Sequence, residues 1–256
     1  MESTRVVSLA PSVTEIVREL DATDMLVGVT HHCRVDSDDV PAVGGWLNPN
    51  YEAIRACDPD LVVTTDSLQA DVRDELRDRD QRVVHVDPRT LGDVIDSFAT
   101  VGRALGKPQA GHDLAWRARS RIERVRRLVR GRPRPTVYCE EWSEPPTAAG
   151  NWVPDAVRAA GGEYPFLPAG ERSREVDSAD VEAANPEHVF LHVCGRGERS
   201  DPEAVLDREW EIPAVENDAV HVLDDSLLNQ PSPRLLDGIE TMARILHPDA
   251  IEPADD

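Results

Sequence analysis

The chain is almost without lysine. Lys107 is the only one; every other basic residue is arginine, and 28 cations face 49 aspartates and glutamates. A net charge of −21 repels nucleic acid and anionic lipid as main partners. The acids run along the whole length of the chain, which reads as a solvation adaptation to strong salt more than as an acidic docking face. Aromatic residues make up only 4% of the chain. Cysteine is sparse: Cys33, Cys57, Cys139 and Cys194 form no CxxC pair, which argues for reduced thiols and against a disulfide framework. The opening "MESTRVVSLAPSVTEIV" lacks a basic leader, a long apolar stretch and a small-residue cleavage site. No run approaches the ~20 apolar residues that span a bilayer. As the chain stands these absences point to the cytoplasm; a chain trimmed of its leader belongs at the extracellular face of the membrane. There is no GxSxG elbow and no glycine-rich phosphate loop, and "GRALG" reads as the interior of a helix.

With 256 residues, the chain has room for one large domain or two lobes. Short apolar strands alternate with helical stretches, the signature of α/β layers. "RVVSLA", "LVGVT", "LVVTT", "RVVHVD", "TVYCE", "HVFLHV" and "AVHVLD" read as strands. Ser12-Val13-Thr14-Glu15 reads as a capping box opening a helix. Residues 50–57, 71–79, 91–105, 153–162, 178–185, 201–210 and 232–247 read as further helices. From Pro108 to Arg130, Leu114, Ala118, Ile122, Val125 and Val129 recur at helical spacing with arginines between them. Gly131 and "RPRP" stop that stretch.

An internal repeat divides the chain. "AIRACDPDLVVTT" (53–65) and "DVEAANPEHVFLH" (180–192) share one plan, a helix followed by Asp-Pro or Asn-Pro and a strand. "VVHVD" and "AVHVLD" echo each other later in each half. The fold expected is α/β, with two similar lobes, 1–107 and 132–256, each built on a central parallel-rich sheet. One long helix over 108–131 bridges them, and ligand binds in a cleft between the lobes, at the carboxyl ends of strands.

Three of five tryptophans lie in loops beside glycine or proline: Trp46 in "GGW", Trp142 in "EEWSEPP" and Trp152 in "GNWVP". Core packing and a ligand platform are both open for them. Trp116 and Trp210, in helical stretches, read as packing. His31-His32-Cys33 follows a strand end. Neighbouring side chains on an extended strand alternate faces, and no third and fourth ligand stand at zinc spacing, so no protein-built metal site is expected. Cys139 sits beside Glu140 and Glu141, which suppress a thiolate. Ser12 reads as a cap more than as an anion site. No complete catalytic constellation emerges.

The ordered set "RVVSLAPSVTEIVRELDATDMLVGVTHHC", "VGGWLNPNYEAIRACDPDLVVTT", "GNWVPDAVRAAGG", "ANPEHVFLHV" and "PSPRLLDGIE" resembles the substrate-binding proteins of cobalamin and iron-chelate ABC importers, and within them the vitamin B12-binding branch. The resemblance covers nearly the whole chain. It implies a monomeric binding protein that is not an enzyme and has no intrinsic cofactor. It implies a corrinoid ligand, taken for uptake or intracellular salvage, and an ABC importer permease as partner, with neither nucleic acid binding nor membrane insertion. By position it implies that His31, His32, Trp46, Glu141, Trp142, Trp152, Asn229, Gln230 and Arg234 line the ligand, with His32 standing where the branch has a tyrosine and able to approach the cobalt. Asp71 and Asp180 fall near the importer-docking carboxylates. Leu227 and Leu228 replace aromatics of the branch. An iron-siderophore or haem ligand on the same fold stays open, as does an enzyme using His31, His32 and Glu140 or Glu141 as acid–base groups.

Overall fold

In the computed structural model, residues 4–250 apart from 36 and 38 are described. The chain separates into two compact units: Met1–Pro88 with Gly92–Arg117, and Arg89–Leu91 with Ala118–Asp256.

The first unit holds β1 (Val6–Ser8), α1 (Pro11–Glu19), β2 (Leu26–Val29), α2 (Tyr51–Ala56), β3 (Leu61–Thr65), α3 (Ala70–Asp78), β4 (Val83–Val86) and α4 (Leu91–Ala104). Its sheet has the order β2-β1-β3-β4, all pairs parallel. β1 and β3 are buried along their whole length, as central parallel strands covered on both faces must be. Val7, Leu9, Ile54, Val62, Val72 and Leu76 pack into one cluster that joins the sheet to α2 and α3.

The 21-residue helix α5 (Pro108–Leu128) passes from the first unit to the second at Arg117 and Ala118. Leu114, Ala118, Ile122, Val125 and Val129 are all buried, so the apolar periodicity is the packed face. Gly102 on α4 and Gly111 on α5 let two backbones touch: a Cβ at Gly102 would lie 2.7 Å from the Gly111 Cα.

The second unit continues with β5 (Val137–Ser143), β6 (Pro146–Ala148), α6 (Val153–Ala159), β7 (Arg174–Glu175), α7 (Ser178–Ala184), β8 (His188–Leu191), α8 (Glu203–Leu206), α9 (Pro213–Glu216), β9 (Val220–Val222) and α10 (Leu235–Leu246). The sheet order is β7-β6-β5-β8-β9. β5, β8 and β9 are parallel, while β6 and β7 extend the sheet antiparallel.

The repeat reaches down to backbone dihedrals. Asp58 and Asn185 both take positive φ, 45° and 50°, each just past a helix and just before a proline and a strand. Asx side chains tolerate this left-handed region, and proline cannot continue a helix. β3–β4 and β8–β9 then pair in parallel in the same way.

Four local expectations are corrected. The capping box at Ser12 does not form. Helix α1 starts at Pro11, with Ala10 as N-cap and no side-chain cap, and Ser12 lies inside the first turn. Proline at the first helical position needs no N–H partner. The "GRALG" stretch straddles a helix end, because α4 stops at Ala104 and Gly106 has φ +73°. Only Glu203–Leu206 of 201–210 is helical, so Trp210 packs from irregular chain, at 3% exposure. Trp116 does not pack: it is 69% exposed on α5.

Candidate functional site

In the first unit the carboxyl ends of β1, β2 and β3 open into loops tied together by one residue. Gln69 is wholly buried. Its Oε1 accepts from the Thr65 N–H at 2.8 Å, and its Nε2 donates to the Leu9 carbonyl at 2.9 Å and to the Trp46 carbonyl at 2.7 Å. A single amide thus satisfies the ends of two strands and the loop that carries Trp46. That loop is a tight turn. Gly44 and Pro49 form an antiparallel bridge, and Gly44 has φ +106°, where a Cβ would lie 2.6 Å from the Asn50 nitrogen. The His31 N–H donates to the Gly44 carbonyl at 3.0 Å, so the histidine turn and the tryptophan loop are joined through the backbone. His31 and His32 are exposed and Trp46 is half-buried. Leu47 and Leu68, next to these loops in sequence, are 50% and 54% exposed. The backbone therefore joins the turn that carries His31 and His32 to the loop that carries Trp46. Cys33 is half-buried with its sulfur 3.1 Å from the Thr30 hydroxyl.

An open hollow of about 930 Å³ runs along the outer edge of β2, lined by Arg5, Arg18, Val27, Arg34 and Cys57 among others. It contains none of the expected ligand residues.

In the second unit, strand alternation sends Glu140 inward and leaves Glu141 half-buried. Glu140 is fully buried and doubly paired with Arg208, at 2.6 and 3.1 Å, and it also accepts from the Tyr138 hydroxyl at 3.1 Å. The Arg208 guanidinium also donates to the Ser143 carbonyl and lies 4.7 Å from the Trp210 ring centre. The Tyr138 ring meets Phe166 and Trp210 at centroid distances of 4.9 and 5.9 Å. Glu140 is thus committed to an internal ion pair and offers no acid–base group to a ligand. Burial pushes the Cys139 thiol far above its ordinary range.

Trp142 is 51% exposed, and its indole N–H is held by the Glu144 carbonyl at 2.9 Å. The polar edge is fixed by its own hairpin and the ring is left open. Trp152 is the opposite case: at 4% exposure it belongs to the core, where its indole N–H donates to the Leu228 carbonyl at 2.7 Å. It braces the loop that carries Asn229 and presents no face of its own.

Both ends of the Asn229 amide are engaged by His192. The His192 Nδ1 bonds the Asn229 oxygen, and Asn229 Nδ2 donates to the His192 carbonyl at 2.7 Å. His192 is wholly buried, its Nε2 has no hydrogen-bond partner among the described residues, and burial lowers its pKa to about 4. It is a neutral imidazole protonated at Nδ1. Gln230 and Arg234 are half-buried just before α10. No ion pair or hydrogen bond engages the Arg234 guanidinium among the described residues.

The two carboxylates expected at an importer are exposed, each in the first turn of a helix: Asp71 on α3 and Asp180 on α7. They are not equivalent in the repeat, since α3 follows β3 whereas α7 precedes β8. Glu198, exposed in the turn after β8, stands at the repeat equivalent of Asp71. Among the described residues, no cluster of three or more His, Cys, Asp or Glu could hold a metal ion, and no helix is long and apolar enough to cross a membrane.

The periplasmic binding protein profile matches residues 6–227, most of both units. The chain belongs to the periplasmic binding protein family. A vitamin B12-binding protein of Vibrio cholerae is 26% identical over 94% of this chain and 88% of its own length. Among solved structures, the periplasmic vitamin B12-binding protein of Vibrio cholerae superposes with a TM-score of 0.78 at 23% identity, covering 95% of this chain and 96% of that one. The periplasmic heme-binding protein of the same organism reaches 0.83 at 20% identity, covering 96% and 99%. Two binding proteins with different ligands match this fold about equally, so the fold alone does not choose the ligand.

In this periplasmic binding protein, sequence reasoning missed Gln69, His192 and Arg208, which hold the candidate loops in place. A glutamine after a strand, a histidine at a strand end and an arginine in a loop carry no motif. Their role comes from partners 60, 37 and 68 positions away.

Proposed function

We propose that this chain binds cobalamin or a related corrinoid through the loops at the carboxyl ends of its parallel strands, and does so without turnover. The observation that carries the reading is the pair of tryptophans displayed by braced loops, Trp46 in one unit and Trp142 in the other. In a chain with 4% aromatics, one half-buried and one exposed indole in strand-end loops suit a large, flat, near-neutral ligand. The whole-length similarity to a vitamin B12-binding protein supports it. His31, His32 and Trp46 in the first unit, and Glu141, Trp142, Gln230 and Arg234 in the second, are the side chains we assign to ligand contact. Asn229 and Trp152 hold the second-unit loop in shape. His32 is exposed, and we assign its imidazole to the cobalt, so that the metal arrives inside the ligand. Anionic siderophores call for several basic side chains, and these loops offer Arg234 with tryptophan, histidine and glutamate.

The similarity to ABC transporter substrate-binding proteins makes a permease the partner proposed for Asp71 and Asp180, with Glu198 as the further candidate. Haem is the second reading, favoured by the exposed imidazoles, which could ligate iron, and by the fold shared with a heme-binding protein. Equilibrium dialysis in molar KCl against cyanocobalamin, aquocobalamin, cobinamide, haemin and a ferric siderophore separates them. Saturable one-to-one retention of a corrinoid, recovered unchanged, is expected. Retention of haemin or the siderophore alone moves the ligand to the iron class. Loss of the cobalt-centred spectral shift of bound aquocobalamin in His32→Ala tests the axial contact.

A further inference from the structure

A chain-wide charge of −21 hides a strong local reversal. Between Arg117 and Arg134 there are nine arginines and one acid, Glu123, so this stretch alone carries +8. It covers the second half of α5 and the turn after it. The inner face of α5 is fully used in packing, so the arginines are carried by its outer side. Arg117, Arg119, Arg124, Arg126, Arg127 and Arg130 are all exposed. Some of them are neutralised: Arg121 and Arg124 pair with Glu240, Arg121 also with Asp237, and Arg130 with Glu123. Arg117, Arg126 and Arg127 have no ion pair among the described residues. Two apolar side chains lie with them, Trp116 at 69% and Leu128 at 43% exposure. At 1.5 Å and about 100° per residue, Trp116 and Arg127 sit at the middle of the outer side, Arg117 and Leu128 on one flank and Arg126 on the other, over about 18 Å of helix axis.

An exposed tryptophan and a leucine amid unneutralised arginines is the composition of a helix face that lies along an anionic interface. A second copy of this chain does not fit: a two-fold contact on this face sets arginine against arginine, and a head-to-tail contact leaves an open chain. A nucleic acid would be held by phosphate contacts alone, and those weaken steeply in the strong salt for which the composition is suited. A lipid surface combines phosphodiester contacts, which the guanidinium fork matches, with an interfacial layer for the tryptophan and leucine. We propose that the outer face of α5 docks the protein on anionic phospholipid, lying on the headgroups without insertion. The inference does not depend on which ligand the chain binds.

The test is co-flotation of the full chain with phosphatidylglycerol vesicles and, separately, phosphatidylcholine vesicles. It is run at the lowest KCl concentration at which the chain keeps a cooperative melt. Binding to the anionic vesicles alone is expected, with a blue shift of the Trp116 emission, taken as the difference from Trp116→Phe. The triple variant Arg117→Gln, Arg126→Gln, Arg127→Gln should bind roughly a hundredfold more weakly, about one kilocalorie per arginine converted to a ratio. The side chains changed are solvent-facing, and its melt and corrinoid binding should match the parent. Equal flotation of the triple variant, equal binding to both lipids, or no flotation at all overturns the proposal. So does tighter binding to duplex DNA than to the anionic vesicles.

Discussion

Replacing Gln69 with methionine is the sharpest probe of how the first unit holds its candidate site. The two side chains have similar length and volume, so packing is nearly conserved. What is lost is three hydrogen bonds, from the Thr65 N–H and to the carbonyls of Leu9 and Trp46. Gln69 and Thr65 are buried, at 0% and 3% exposure, so the groups at that end lose a partner with no water to replace it. An unsatisfied buried group costs about 1–3 kcal/mol. The Trp46 carbonyl is in a part-exposed setting and can rehydrate, so its share is small. The expected loss is about 2–4 kcal/mol in urea unfolding of Gln69→Met. Binding should fall as well, because the Trp46 loop must now be ordered by the ligand. Ordering one such side chain costs about 1 kcal/mol, or roughly fivefold in Kd. An unfolding free energy within about 0.5 kcal/mol of the parent, with an unchanged Kd, would show that the strand ends and the Trp46 loop are held by something else.

Two further outcomes are expected. Glu140→Gln leaves the Arg208 guanidinium without its charge partner in a setting only 17% exposed, and should cost about 3 kcal/mol in a thermal melt; the double variant with Arg208→Met should regain most of it. A single-variant loss below about 1 kcal/mol would refute the pairing as a structural element. His192 is neutral in the fold with a pKa near 4, below its unfolded value, so the unfolded chain binds the extra proton between those values. Stability therefore rises with pH from about 4 to about 6.5 and falls as pH drops through that window, by at most about 1.4 kcal/mol per pH unit for this group. His192→Gln should remove that share of the slope in unfolding curves measured across the window, and an unchanged slope counts against it.

Much of the fold was legible in the chain. The parallel strands of both sheets, the amphipathic α5 and the repeat around Asp58-Pro59 and Asn185-Pro186 follow from local rules of periodicity, proline and left-handed Asx residues, so a sequence carries them explicitly, whereas the short antiparallel strands β6 and β7 carry no such pattern. The loops at strand ends were legible too, because glycine, proline and tryptophan cluster there. The assignment of roles within those loops was not. Trp46, Trp142 and Trp152 have similar sequence surroundings, yet one is half-open, one presents its ring and one is core. Trp116 was expected inside and lies outside: a single residue's angular position on α5 decides this, and an isolated tryptophan among arginines does not reveal it. Glu140 and Glu141 are adjacent and chemically alike. Strand alternation put one into a buried pair with Arg208 and left the other near the surface, and no local pattern names a partner 68 positions away. The sequence by itself determined most of the elements and the family, because those depend on short-range pattern and on the order of motifs. The tertiary structure alone decided which side chains are free to meet a ligand, because burial and hydrogen-bond satisfaction depend on residues far apart in the chain.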